Sequence, residues 1–247
     1  MADRILFLIP AHDEAPLIAE CVGSAIRALT GGFSGNIIVI ADNCSDDTAT
    51  VAREAGAKVL ERHDRERRGK PHAIAWALER LDLASAEAVV IIDADSVVRP
   101  DFATALQEHA PIADKVIQTY NGSSNEFETW LTRLAGVFTR ARYELEFPAK
   151  QRAGLNVPLT GNGMCIGTAV LRREGWKAFS LAEDAELYAR WTAEGIRIRY
   201  AQGARVEARE AGSLGHSSTQ RARWAAGRDA PQPAARTFHE RWRDGSV

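Results

Sequence analysis

Ala88-Val89-Val90-Ile91-Ile92-Asp93-Ala94-Asp95 carries an apolar run directly into two carboxylates spaced two residues apart. A short, continuous, β-branched run of this kind reads as a strand covered on both faces. Strand residues two apart project to the same side, so Asp93 and Asp95 can address one site. Hard divalent cations favour oxygen ligands, and Mg²⁺ commonly takes one or two carboxylates together with substrate phosphates. A turn or helix cap is the other reading of the pair, because Ser96 and Pro100 follow.

Upstream, strand and helix patterns alternate. Ile5–Ile9 is an apolar strand, followed by Ile18, Cys21, Val22, Ala25, Ile26 and Leu29 at helical spacing. Ile37–Ile40 is a second strand, Thr48–Ala55 a helix closed by Gly56, and Ala57–Leu60 a third strand. A helix opening at Pro71 leads into the Ala88–Ile92 strand. Such alternation predicts an α/β fold: a mostly parallel central sheet with helices on both faces and right-handed crossovers. Ligands of these sheets bind beyond the carboxyl ends of the strands. Three strands end there in polar groups: His12-Asp13-Glu14, Asp42-Asn43 and Asp93-Ala94-Asp95.

The second half is less regular. Lys115–Tyr120 reads as a strand and Asn125 to Phe147 as one long helix. Its stripe of Trp130, Leu134, Val137, Phe138 and Ala141 is expected to pack on the core, with a partner or membrane-surface contact as the alternative. Short strands at Met164–Ile166 and Ile196–Tyr200, a helix over Glu183–Ala193 and a final helix over Thr219–Ala226 complete the pattern. One domain is expected over residues 1–228, with the charged, proline-containing tail at 229–247 poorly ordered.

The 247 residues carry a formal net charge of −2, with acids and bases interspersed. That balance argues against a nucleic-acid partner. Cys21, Cys44 and Cys165 have no metal-ligand or redox spacing and fit a reducing compartment. No apolar run approaches the ~18 residues that span a bilayer. A soluble, cytoplasmic protein is expected, with peripheral association at the inner face of the membrane left open.

Six segments then form a pattern: Ile9-Pro10-Ala11-His12-Asp13-Glu14, Asp42 to Thr48, Gly69-Lys70-Pro71-His72-Ala73, Asp93-Ala94-Asp95, Ala182-Glu183-Asp184 and Gln220-Arg221-Ala222-Arg223-Trp224. Their order and spacing resemble the family 2 glycosyltransferases of GT-A type over about residues 4 to 228. The last segment resembles the branch of cellulose, chitin and hyaluronan synthases.

The resemblance implies an inverting, metal-dependent transferase that moves a sugar from a nucleotide-diphosphate donor, most readily a UDP-sugar. The implied acceptor is a hydroxyl of a saccharide or lipid-linked glycan. It places the nucleotide against Pro10, Ala11, Glu14, Asp42, Lys70, Asp93 and Arg223. Asp42 has an alternative role as a turn or capping residue before Thr48. Arg62, Arg65, Arg67 and Arg68 read as a solvated charge run, which leaves Lys70 as the binding cation of that stretch. Asp95 is the implied ligand of Mn²⁺ or Mg²⁺. Asp93 holds the ribose or donor sugar and can also contact the metal, while His216 is either a further ligand or an exposed loop residue. Asp184 is the implied general base, although a carboxylate at a helix N-terminus is also stabilised by the dipole alone. Glu183, Gly161, Asn162, Gln220 and Trp224 face the acceptor. Gln220, Arg223 and Trp224 share a helical face, and Trp224 either stacks on a sugar ring or packs into the core.

Two departures from the family pattern stand out. The chain lacks the transmembrane helices of the membrane-embedded synthases, and Ala182 replaces the threonine common before the Glu-Asp pair. Two other functions compete with transfer. A sugar-phosphate nucleotidyltransferase would show a glycine-rich loop with an arginine after the first strand, where this chain has Pro10-Ala11-His12-Asp13-Glu14. A non-catalytic nucleotide-binding module would keep binding without turnover.

Overall fold

The structure, a computed structural model, describes residues 4–31 and 33–210. Eight strands form one sheet in the order β3-β2-β1-β4-β7-β6-β8-β5. They are β1 Arg4–Ala11, β2 Ser34–Asp42, β3 Lys58–Arg62, β4 Ala88–Ile91, β5 Ser96–Val98, β6 Val116–Ser123, β7 Met164–Gly167 and β8 Ile198–Ala208. The first four are mutually parallel, as is the β6–β8 pair, whereas β7 runs antiparallel to both β4 and β6. Every residue of β4 is buried, which accounts for its unbroken apolar run.

Helices cover both faces. On one, α1 (Ile18–Ala28) seats Ile18, Cys21, Val22 and Ala25 against Ile5, Phe7 and Val90, with α2 (Thr48–Glu54) and α4 (Phe102–Gln107) alongside. On the other, α3 (Lys70–Leu78), α6 (Phe147–Arg152), α7 (Thr168–Glu174) and α8 (Glu183–Ala193) pack around Leu8, Ile91, Met164 and Trp191. No helix among the described residues is long and apolar enough to cross a membrane.

Register aligns the strand exits. Leu8 lies opposite both Ile38 and Ile91, and Ala11 lies opposite Ala41. Asp93 therefore leaves the sheet level with Pro10, while Asp42 leaves one residue beyond Ala11. Because β7 is antiparallel, its start meets this same edge: Ile91 pairs with Met164, which brings Gly161-Asn162-Gly163 beside Asp93.

Several elements differ from the sequence expectation. β5, α4 and α7 were not anticipated, and β8 continues to Ala208. The long helix begins at Trp130, where Thr129 and Thr132 exchange hydrogen bonds in a capping box. It runs as α5 (Trp130–Arg140) through a wide π-helical segment, Ala141–Glu146, into α6. The stripe of Trp130, Leu134, Val137 and Phe138 does not pack on the core; all four face outward. Leu131, Thr132 and Gly136 face inward instead, and at Gly136 a Cβ would fall 2.2 Å from the Glu126 side chain. Helical periodicity defines stripes but does not choose between an inward stripe of small residues and an outward one of large residues. The helix proposed over Thr219–Ala226 and the tail at 229–247 lie outside the described residues.

Candidate active site

At the carboxyl edge of the sheet, Lys70 gathers groups from three separate stretches. Its Nζ lies 2.5 Å from Asp93 Oδ1, donates to the Gly161 carbonyl at 2.7 Å and sits 3.5 Å from Glu183 Oε1. A Cβ on Gly161 would lie 3.5 Å from Asp184 Oδ2 and 3.7 Å from Lys70 Nζ, so Asp184 flanks the same point. Burial alone would lower the Lys70 pKa, but the negative charges of Asp93, Glu183 and Asp184 outweigh it and raise it. The ammonium stays charged and holds three carboxylates together. Lys70 is the first residue of α3, one position ahead of the expected helix start at Pro71, which lies in the helix's first turn.

Glu183 and Asp184 open α8. Burial pushes both carboxyls above their ordinary range, opposed at Glu183 by Lys70 and at Asp184 by the Ala185 N–H and then Lys70. Ala185 N donates to Asp184 Oδ1 at 2.8 Å, leaving Oδ2 directed toward Gly161.

Asp95 and Glu14 form the other charged group. Neither makes an ion pair within 4.0 Å among the described residues. Asp95 lies at the rim, yet the protein around its carboxylate raises its pKa by desolvation first and by the Asp93 charge second. Glu14 is raised by desolvation, then by Asp95, Asp46 and Asp93. Asp95 and Glu14, crowded by Asp93 and with no ion-pair partner of their own among the described residues, offer the oxygens that a hard divalent ion favours.

Asn162, expected to face the acceptor, has its side chain fully engaged with protein. Its Oδ1 accepts from Asp93 N at 3.1 Å, and its Nδ2 reaches Ser96 Oγ at 2.9 Å and Asn121 Oδ1 at 3.2 Å. It is 2% exposed and fixes the Asp93-Ala94-Asp95 turn. The adjacent turn is equally constrained: Gly163 has φ +69°, and a Cβ there would lie 2.1 Å from Thr119 Oγ1. Gly163→Ala is expected to destabilise the protein by about 2–4 kcal/mol, from left-handed strain plus overpacking, as read by urea denaturation.

Beside Lys70 lies a cleft of about 450 Å³ lined by Pro10, Ala11, Asp42, Arg65, Arg68 and Lys70, among others. Asp42 forms part of its wall and does not cap α2; Asp46 accepts from Thr48 N instead. Arg62 corrects the sequence reading. It is not a solvated member of a charge run but is 3% exposed, with Nη1 2.6 Å from Asp42 Oδ1 and Nη2 3.0 Å from Asp64 Oδ2. Asp42 and Arg62 lie opposite each other in the parallel β2–β3 pairing, a long-range register that local sequence does not display. Arg65, Arg67 and Arg68 are exposed as expected, with Arg65 and Arg68 at the lining of the cleft and Arg67 paired with Asp64.

Ligand atoms of His12, Asp13 and Cys44 also lie within 4.8 Å of one another at the β1 and β2 exits. Asp13 is already taken up by Ser45 N at 2.6 Å and Asp46 N at 3.3 Å, and His12 Nδ1 lies 2.8 Å from the Asp42 carbonyl. Gln220, Arg223, Trp224 and His216 lie outside the described residues.

Solved structures share this architecture. The mannosyltransferase PcManGT from Pyrobaculum calidifontis, in complex with GDP-Man and Mn²⁺, superposes with a TM-score of 0.70 at 20% identity, over 94% of this chain and 68% of that one. Glucosyl-3-phosphoglycerate synthase from Mycobacterium tuberculosis, in complex with Mn²⁺, UDP and glucosyl-3-phosphoglycerate, gives 0.59 at 20% identity over 87% and 75%. At that identity the likeness establishes the GT-A fold. In sequence, the chain is 26% identical over 232 residues to the uncharacterized glycosyltransferase YaiP of Escherichia coli K12, covering 89% of this chain and 55% of that protein. It thus spans little more than half the length of that relative. Residues 2–227 match the family described as glycosyltransferase like family 2, and with nine-tenths of its length inside that match, the chain belongs to this family of transferases.

Proposed function

We propose that the chain transfers a sugar, with inversion, from a nucleoside-diphosphate sugar to a hydroxyl of a saccharide or lipid-linked glycan, with UDP as the favoured nucleotide. The observation that carries this reading is the Lys70 cluster. It sets Asp93, Glu183 and Asp184 around one ammonium, next to Asp95 and Glu14, which have no ion-pair partner among the described residues, and beside a cleft of nucleotide size. Such a site suits a donor with a polar nucleoside, an anionic diphosphate and an electrophilic carbon.

In this reading the nucleoside occupies the cleft against Pro10, Ala11 and Asp42, and Arg65 and Arg68 face its phosphates. Asp95, with Asp93, holds Mn²⁺ or Mg²⁺. Both ions occur in solved family neighbours with UDP, and Mn²⁺ also occurs with GDP-Man. The bound ion supplies Lewis-acid stabilisation of charge on the leaving diphosphate. Asp184 takes the acceptor proton through Oδ2, its basicity raised by burial. Glu183 lies 3.5 Å from Lys70 and keeps the ammonium in place between donor and acceptor sides. Arg223 pairs with the diphosphate and Trp224 stacks on the acceptor sugar, which would place the chain near the polysaccharide synthase branch. The family match itself does not single out that branch.

A calorimetric panel of UDP, GDP, ADP and CDP with Mn²⁺, repeated with excess EDTA, tests the assignment. UDP is expected to bind only with the metal present. Failure of every nucleotide to bind in the presence of metal would overturn the proposal.

A further inference from the structure

The arm from α5 through α6 has two contrasting sides. Its inner side carries Tyr143, whose hydroxyl donates to Thr160 Oγ1 at 2.9 Å, next to Gly161 of the Lys70 cluster. Its outer side, with the preceding turn, presents Phe127, Trp130, Leu134, Val137, Phe138 and Leu145, exposed by between 46% and 71%. From Trp130 to Phe138 these residues recur at α-helical spacing and form one apolar band.

Charge distinguishes this band from an ordinary sticky face. Residues 126–152, which include the turn that carries Phe127, hold five basic and four acidic side chains, a net +1 in a chain whose formal charge is −2. Arg140 pairs with Glu126, and Lys150 with Glu146. Arg133, Arg142 and Arg152 are exposed and make no ion pair among the described residues. Arg133 lies three residues after Trp130 and four before Val137, so it borders the band. Tryptophan, phenylalanine and leucine flanked by free guanidiniums suit the headgroup boundary of a bilayer, where the rings enter the apolar layer and the cations meet phosphates. A second copy of the same face would bring the like charges together.

We propose that this face docks on an anionic phospholipid surface. The docking stands on the exposed band and its charge alone. If the transfer reading also holds, Tyr143 and Thr160 place the acceptor end of the site about one helix diameter (~10 Å) from the leaflet.

Cosedimentation of the full chain with vesicles of phosphatidylcholine, and of phosphatidylcholine mixed with phosphatidylglycerol, tests this without reference to turnover. Binding to the anionic vesicles is expected to be about a hundredfold tighter at low salt and to weaken as salt is added. Trp130→Ser with Phe138→Ser should reduce it at least about tenfold, given the cost of removing two inserted rings. Arg133→Glu with Arg142→Glu should abolish the preference for phosphatidylglycerol. All four positions are exposed, and an unchanged circular dichroism spectrum would confirm that each variant folds. Equal binding to both vesicle types, no binding, or binding insensitive to these variants overturns the proposal. So does an ultracentrifuge dimer that the Trp130→Ser, Phe138→Ser variant dissociates in the absence of vesicle binding.

Discussion

Asp184→Asn is expected to lower kcat for sugar transfer by about 10²–10⁴-fold, the range for loss of a positioned general base, while nucleotide affinity changes little. Asparagine keeps the size of the side chain and a hydrogen-bond acceptor for Ala185 N, so the fold at the α8 terminus should persist. The sign of the pH dependence follows from the environment of the carboxyl. Burial raises the Asp184 pKa above its ordinary value of 3.8, and the base works only when ionised. The acid limb of kcat should therefore fall as pH drops through a pKa above the usual carboxylate range. A stopped assay for released nucleoside diphosphate across acidic and neutral pH would show this limb in the wild-type protein, and its loss along with activity in Asp184→Asn.

Arg62→Met is expected to cost about 3–5 kcal/mol of stability and to lower Tm by about 10 °C or more. The guanidinium and the Asp42 carboxylate are both buried, 2.6 Å apart, with Asp64 completing the network. Removing the cation leaves Asp42 charged, desolvated and unpaired, which costs far more than an exposed ion pair is worth. Arg62→Met combined with Asp42→Leu should recover much of the loss, because a buried pair replaced by apolar groups of similar volume is often tolerated. Thermal unfolding of the three proteins distinguishes a structural pair from a surface one. If Arg62→Met unfolds like the wild type, the pair is not an internal brace for the wall of the cleft.

What could be read from sequence depended on how local each signal was. Strand alternation does not set Asp93 and Asp95, because β4 ends at Ile91 and Ala94-Asp95 form a turn, but the Ala88–Ile91 strand was legible because burial acts within a few residues. The same holds for α8, whose Glu183–Ala193 limits were read directly. The role of Lys70 was only partly legible. Its binding partners Asp93, Gly161 and Glu183 lie 23 to 113 positions away, and only the antiparallel insertion of β7 and the start of α8 bring them together. Arg62 was misread because a cluster of arginines usually marks a solvated face, and its register opposite Asp42 is a tertiary fact. In α5 the stripe was real but its direction was not, since Leu131, Thr132 and Gly136 form the inward face.

Assigning Asp95 to donor binding and Asp184 to proton transfer predicts a separation that one paired measurement reads. Calorimetric binding of UDP with Mn²⁺ should be lost in Asp95→Ala and retained in Asp184→Asn, while donor turnover is lost in both. Undiminished metal-dependent UDP binding in Asp95→Ala, or full turnover in Asp184→Asn, would contradict the account.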